Sequence, residues 1–331
     1  MIPGAPSWVH LWPQVCDALI AGRPVVALES AVFSHGLPRA EARGLAARLE
    51  AAVRDGGAIP ACVAVRAGRV EVGVRADDLD FLFAPDVLKV AERDLAVVVG
   101  QRRSGGTTVA GTLAVAHAAG IRVMSTGGIG GVHIGAERTG DVSADLLALS
   151  RYPLTVVCAG PKAVCDARRT VEALDTFGVT VVGYQTDTLP AFLARSTRVP
   201  VPHRVDRVAD LAAIVRARRR IGGSSAVLVV QAPQPEHALD EGDLEHAVTA
   251  AAELARADGV SGADLTPFLL AALSEITGGR SVAANLAVLA ANARLAAALA
   301  AVISSEQPDG LMRRRKNVRR ERPPGRGRSS A

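Results

Sequence analysis

Short unbroken apolar runs alternate along this chain with longer stretches whose apolar positions recur every three or four residues. Pro24–Leu28, Ile121–Ser125, Leu154–Cys158, Val179–Val182 and Ala226–Val230 are the runs, and valine dominates them. Runs with no polar alternation predict strands covered on both faces. Helical spacing marks Glu41–Arg54, Thr108–Ala119, Cys165–Phe177, Leu239–Asp258, Asp264–Thr277 and Ser281–Ile303, with Gly120 and Gly178 as stops. Cys62–Val65 and Arg69–Val72 predict a hairpin across Gly68, and Leu95–Val99 reads as a further strand. This alternation of strand and helix predicts an α/β fold. No internal repeat and no linker interrupts it, so residues 1–304 are expected to form one domain.

Composition changes the picture at one end only. The chain has 331 residues, 49% apolar and 21% charged, as globular proteins do. Its formal charge of +5 is misleading. Residues 305–331 hold nine basic and three acidic side chains, which is +6, so the body carries −1. The body therefore has no general pull on nucleic acid, and no specific nucleic-acid partner is expected. The tail composition predicts a disordered, solvated appendage. The four cysteines form no CxxC pair and suggest neither a zinc cage nor a disulfide framework. Leu286–Ile303 is apolar, but Asn292 and Arg294 interrupt it, which predicts a packed helix and not a membrane span. No signal peptide is recognisable, and a cytoplasmic location is expected.

Lysine is scarce. Of 38 basic residues only Lys89, Lys162 and Lys316 are lysines. Lys162 follows the buried-looking run Leu154–Cys158. Arginine stays protonated, whereas a buried lysine can lose its proton and attack a carbonyl to form an imine. Lys162 is thus a candidate covalent catalyst, and on composition alone chance placement explains it equally well. Glu29 ends the strand Pro24–Leu28, where open α/β sheets bind ligands and where burial would suit a carboxyl to proton transfer. Gly105-Gly106-Thr107-Thr108 opens a helix, which fits either a phosphate site or a threonine cap. Asp141 and Asp145 stand four apart. On a helix start they would share a face and hold a largely hydrated hard cation, magnesium or manganese, or serve as dipole-favoured caps. Gly127-Gly128-Ile129-Gly130-Gly131 fails the dinucleotide fingerprint because His133 stands where a third glycine is needed.

Taken together these stretches resemble a known family, the pseudouridine-5′-phosphate glycosidases, which include the indigoidine-synthase A-like proteins. The likeness rests on Val26–Ser30 with Ser34–Pro38, on Gly106–Ala110, and on Ser125 through Asp145, read as STGGIGGVHIGAERTGDVSAD. It continues through Val157–Lys162, Val182–Tyr184, Thr266–Leu270 and Ser281–Asn292, and spans about residues 14–303. The resemblance implies a three-layer α/β/α core around a mixed, mostly parallel sheet, and a homotrimer. It implies reversible cleavage of pseudouridine 5′-phosphate to uracil and ribose 5-phosphate with a divalent metal, usually manganese. It puts the imine on Lys162, the proton donor on Glu29 and the metal carboxylate on Asp141. Substrate contacts fall on Lys89, Val109 and Ser143-Ala144-Asp145, with His133 and Asn285 also lining the site, and Thr107 and Thr108 holding phosphate with Lys89. Ala31, Pro161, Gln185 and Ala232 depart from the family pattern without removing a proposed catalytic group.

The chemistry suits those residues. The scissile bond joins two carbons, ribose C1′ and uracil C5, so protonating a leaving heteroatom does not serve. Opening the ribose onto a lysine, with uracil departing once C5 is protonated, avoids that barrier. The alternative is a non-catalytic phosphosugar- or nucleotide-binding protein on the same fold. A sugar kinase is disfavoured because no nucleotide loop accompanies a catalytic aspartate.

Overall fold

A computed structural model describes residues 6–260, 262 and 265–305. The strands are β1 (Val9–Leu11), β2 (Val25–Leu28), β3 (Ile59–Arg66), β4 (Arg69–Val72), β5 (Leu88–Val90), β6 (Gly105–Thr107), β7 (Val123–Ser125), β8 (Thr155–Cys158), β9 (Thr180–Tyr184), β10 (Arg204–Val205) and β11 (Val227–Gln231). The helices are α1 (Pro13–Ile20), α2 (Ala31–His35), α3 (Arg39–Asp55), α4 (Leu95–Gly100), α5 (Val109–Ala118), α6 (Ala136–Thr139), α7 (Ala144–Arg151), α8 (Ala167–Thr176), α9 (Val208–Arg220), α10 (Glu241–Ala257), α11 (Leu265–Ile276) and α12 (Arg280–Ser305). Asp264, the first residue of one predicted helix, and residues 306–331 of the predicted tail lie outside the described residues.

The sheet runs β1-β4-β3-β2-β7-β8-β11-β9-β10, with β6 attached to β3 and β5 to β6. Every pairing is parallel except β3 with β4 and β3 with β6. The valine-rich runs are central strands, and alternate side chains feed opposite cores. Val25, Ala27, Met124, Val156 and Leu228 pack on one face beneath α5, α7 and α8. Val26, Leu28, Val123, Val157 and Val229 pack on the other beneath α3, α9 and α12. Three layers follow from that alternation. A smaller apolar cluster joins α10 and α11 to Phe192, Leu193 and the start of α12. The hairpin across Gly68 forms as its sequence predicts. Ala67 and Gly68 have φ of +48° and +79°, the twist a two-residue connection needs.

Leu95–Val99 is not a strand. It forms α4, with Val98 buried and Val97 exposed. A short apolar run has no periodicity to separate helix from strand, and Asp94 ahead of it closes a cap by accepting from the Ala91 amide at 2.9 Å. The strand of this region is β5, which carries Lys89.

Helix α12 has the length and apolarity of a membrane span, but 56% of its apolar window is buried inside the protein. It is a core helix.

Candidate active site

The sheet register levels the carboxyl ends of three neighbouring strands. Leu28 pairs with Ser125, and Ser125 with Val157. One step further along each strand lie Glu29, Thr126 and Cys158, with Lys162 four residues past β8. Two lobes of one cavity open over these ends. The inner lobe, about 50 Å³, is lined by Glu29, His35, Lys162, Phe192 and Asn285 among others. The outer lobe, about 210 Å³, is lined by His133, Asp141, Ser143 and Ala144 among others. Lys89, Thr108, Lys162 and Thr266 line both. Lys162 and Lys89, the only lysines in the body of the chain, thus meet in one place.

Main chain holds Lys162 in position. The Lys162 amide donates to Ile129 O at 2.8 Å, Ile129 N to Gly160 O at 3.0 Å, and Ala159 N to Gly127 O at 2.8 Å. The glycine-rich segment and the segment ending at Lys162 are therefore stitched backbone to backbone. Among the described residues Gly127, Gly128, Gly130 and Gly131 keep ordinary φ, so conformational freedom is not their use. A Cβ on Gly128 would stand 2.7 Å from Phe192 Cδ2, and one on Gly131 would stand 2.3 Å from Thr170 Oγ1. These glycines allow close approach.

Glu29 is 6% exposed. Burial raises its pKa above the ordinary 4.5, opposed by the Lys162 charge and by a hydrogen bond that Thr126 Oγ1 donates to Oε1. A carboxyl held so is protonated more readily than one in water.

The two aspartates do not share a helix face. Ser143 caps α7, which starts at Ala144, so Asp141 lies in the preceding loop. Asp145 is buried, and its oxygens accept from Ala110 N at 2.9 Å and Gly130 N at 2.8 Å. It ties the start of α5 to the glycine-rich segment. Asp141 Oδ1 stands 3.5 Å from His133 Nδ1, a buried nitrogen that makes no hydrogen bond. One carboxylate and one orphaned ring nitrogen suit a divalent ion that keeps most of its waters. Among the described residues no group of three or more His, Cys, Asp or Glu side chains could enclose a metal.

The remaining predicted residues divide. Thr108 caps α5 and lines both lobes. Asn285 Oδ1 is buried without a partner at the inner lobe. Thr107 is wholly buried in β6, and its hydroxyl is engaged by Val63 O at 2.7 Å and Thr112 Oγ1 at 2.8 Å. It supports the site from behind. The Val109 side chain is core, so only its amide at the helix start remains for an anion. Two residues with no predicted role, Thr126 and Asn292, lie behind the cavity, linked by hydrogen bonds to Glu29. The signal for Asn292 was present: an amide within an alanine-rich helix must find partners if buried.

The sequence matches the family model described as indigoidine synthase A like protein over residues 14–302. A pseudouridine-5′-phosphate glycosidase of Herpetosiphon aurantiacus is 47% identical over 88% of this chain and 97% of its own. One of Methylobacterium nodulans is 46% identical over 90% and 89%. Among solved structures, the prealnumycin C-glycosynthase AlnA in complex with ribulose 5-phosphate superposes with a TM-score of 0.84. It is 35% identical, over 91% of this chain and 99% of its own. An indigoidine synthase A-like protein of Thermotoga maritima gives a TM-score of 0.81 at 30% identity, over 89% and 96%.

Proposed function

Since the chain belongs to the indigoidine synthase A-like family, we propose that it is a pseudouridine-5′-phosphate glycosidase, splitting its substrate reversibly into uracil and ribose 5-phosphate. The observation that carries this reading is the meeting of Lys162 and Glu29 in one cavity at level strand ends. A buried carboxyl close to an amine at the strand ends suits proton transfer and imine formation more than phosphosugar binding alone, and Asp141 in the adjoining lobe also favours catalysis over the binding alternative.

Lys162 Nζ bonds to C1′ as the ring C1′–O4′ bond breaks and O4′ takes a proton. Glu29 delivers a proton to C5 of the base. The C1′–C5 electrons then restore the C5=C6 double bond, and the nitrogen lone pair closes the C1′ imine. Water hydrolyses that imine, releasing ribose 5-phosphate and regenerating Lys162. Lys89 and the start of α5, with Thr108 and the Val109 amide, hold the 5′-phosphate and orient the sugar. Ribulose 5-phosphate in the similar C-glycosynthase supports a phosphosugar in this cavity. Asp141 and His133 would hold a divalent ion, manganese or magnesium, which would stabilise negative charge near the uracil carbonyls. Ser143 and Ala144 border the same outer lobe.

Incubation with pseudouridine 5′-phosphate and manganese should release uracil. Borohydride trapping with ribose 5-phosphate should place the sugar on Lys162 in a peptide map, and Lys162→Arg should abolish turnover, since arginine does not deprotonate. A label on another lysine would remove Lys162 from its role.

A further inference from the structure

Glu29, Thr126 and Asn292 form a chain of hydrogen bonds that lies mostly behind the cavity. Asn292 is 1% exposed on α12, and each of its polar atoms is used. Its Nδ2 donates to Thr126 O at 2.8 Å and to Gly127 O at 3.2 Å. Its Oδ1 accepts from Gln231 Nε2 on β11 at 3.0 Å. Thr126 is also 1% exposed and does not line the cavity. Its amide donates to Val157 O at 3.0 Å, its carbonyl is taken by Asn292, and its hydroxyl donates to Glu29 Oε1. Among the described residues this is the hydrogen bond made by the Glu29 side chain. A hydroxyl has one proton to donate, and here it is spent on Oε1. The transferable proton of Glu29 therefore belongs on Oε2.

Building on the glycosidase reading, we propose that Thr126 and Asn292 are positioning residues for proton transfer: Asn292 fixes the Thr126 peptide, and the Thr126 hydroxyl fixes which carboxyl oxygen of Glu29 presents its proton to the substrate. A buried carboxyl that only repulsion and space confined could turn about its last torsion, and a misplaced donor loses rate without losing substrate affinity. The charged and titratable groups facing Glu29 are Lys162, Lys89 and Asp145, with Cys62 on β3 and His35 in the same inner lobe. None of them is changed by substituting Thr126, so a substitution there isolates the hydroxyl.

The test uses the full-length protein as Thr126→Val, Thr126→Ser and Asn292→Leu, with two readouts. The first is steady-state kinetics across pH on pseudouridine 5′-phosphate with manganese. The second is a ¹³C-carboxyl titration of Glu29, which requires no turnover. Thr126→Val keeps the side-chain shape and should lower kcat by about 10–100-fold with KM within about threefold. It should also move the Glu29 midpoint, and the matching limb of the kcat profile, to higher pH, because the charged form loses its donor. Thr126→Ser should return both towards wild type. Asn292→Leu should lower kcat in the same way with a smaller midpoint shift. A Thr126→Val protein whose midpoint and kcat profile match wild type, or a Thr126→Ser protein that fails to recover, would overturn the proposal. A wild-type protein that releases no uracil while its Thr126→Val midpoint moves as expected would instead overturn the glycosidase reading and leave the positioning intact.

Discussion

Glu29 joins two opposed demands in one side chain. Burial resists its charge, and the nearby Lys162 and the Thr126 hydroxyl favour it. Its folded pKa lies above the ordinary 4.5, so the folded state binds more protons than the unfolded chain between that value and the folded one. Stability assigned to Glu29 is thus present at acid pH and lost as pH rises through this window. Glu29→Gln should melt higher than wild type at neutral pH, and the gap should close as pH falls towards 4.5; a gap that widens on acidification would show the sign to be wrong. Turnover in the same variant should drop by on the order of 10²–10⁴ with modest change in KM, as for loss of a general acid. Asp141→Ala should raise the manganese concentration needed for half-maximal rate, and an unmoved metal titration would take Asp141 off the ligand set. Gln185, one of the departures from the family pattern, sits at φ +56° with its side-chain amide donating to Asp206 O. Gln185→Gly should leave stability unchanged or raise it by up to about 1 kcal/mol, read as a shift of the denaturation midpoint.

At the scale of elements, Asp145 matters as a tie more than as a ligand. Its carboxylate satisfies one amide of α5 and one of the glycine-rich segment. Asp145→Ala should cost on the order of 2–4 kcal/mol in urea unfolding, because two buried donors lose their acceptor. A cost well under 1 kcal/mol would mean that water replaces the carboxylate. The same residue shows how far sequence reaches. That Asp141 and Asp145 come close together was legible from their spacing, and both line one cavity; which way each points was not, because the helix begins only at Ala144. The helices that the sequence predicts have ends within two residues of those observed, but α9, thirteen residues opened without a side-chain cap, was not predicted at all. α3, α5, α8 and α10 carry clear amphipathic or capping signals, including Asp166 and Asp240 as caps. Some short strands were not predicted either. β5 and β6 are three residues each, held in place by pairing with each other and with β3, which no local pattern records. Thr126 was missed for a related reason: its partner Glu29 lies 97 residues away.

For the whole molecule, residues 305–331 should be dispensable. They carry +6 and lack apolar periodicity, so no contribution to the core is expected from them. A chain ending at Ser304 should keep its melting temperature, oligomer size and rate; loss of any of these would show that the tail orders against the body or a neighbouring copy. Removal of α12 is a different matter, because that helix both supplies Asn285 and Asn292 and covers one face of the central strands. Its place after every strand in chain order bears on how the protein is made. Thr126 leaves the ribosome 166 residues before Asn292, an interval of roughly 10–30 s at ordinary elongation rates. Over that interval β2, β7 and, once made, β8 lack the helix that covers one of their faces. Until α12 follows, the apolar face it covers stays open, and the hydrogen-bond chain from Asn292 through Thr126 to Glu29 is incomplete.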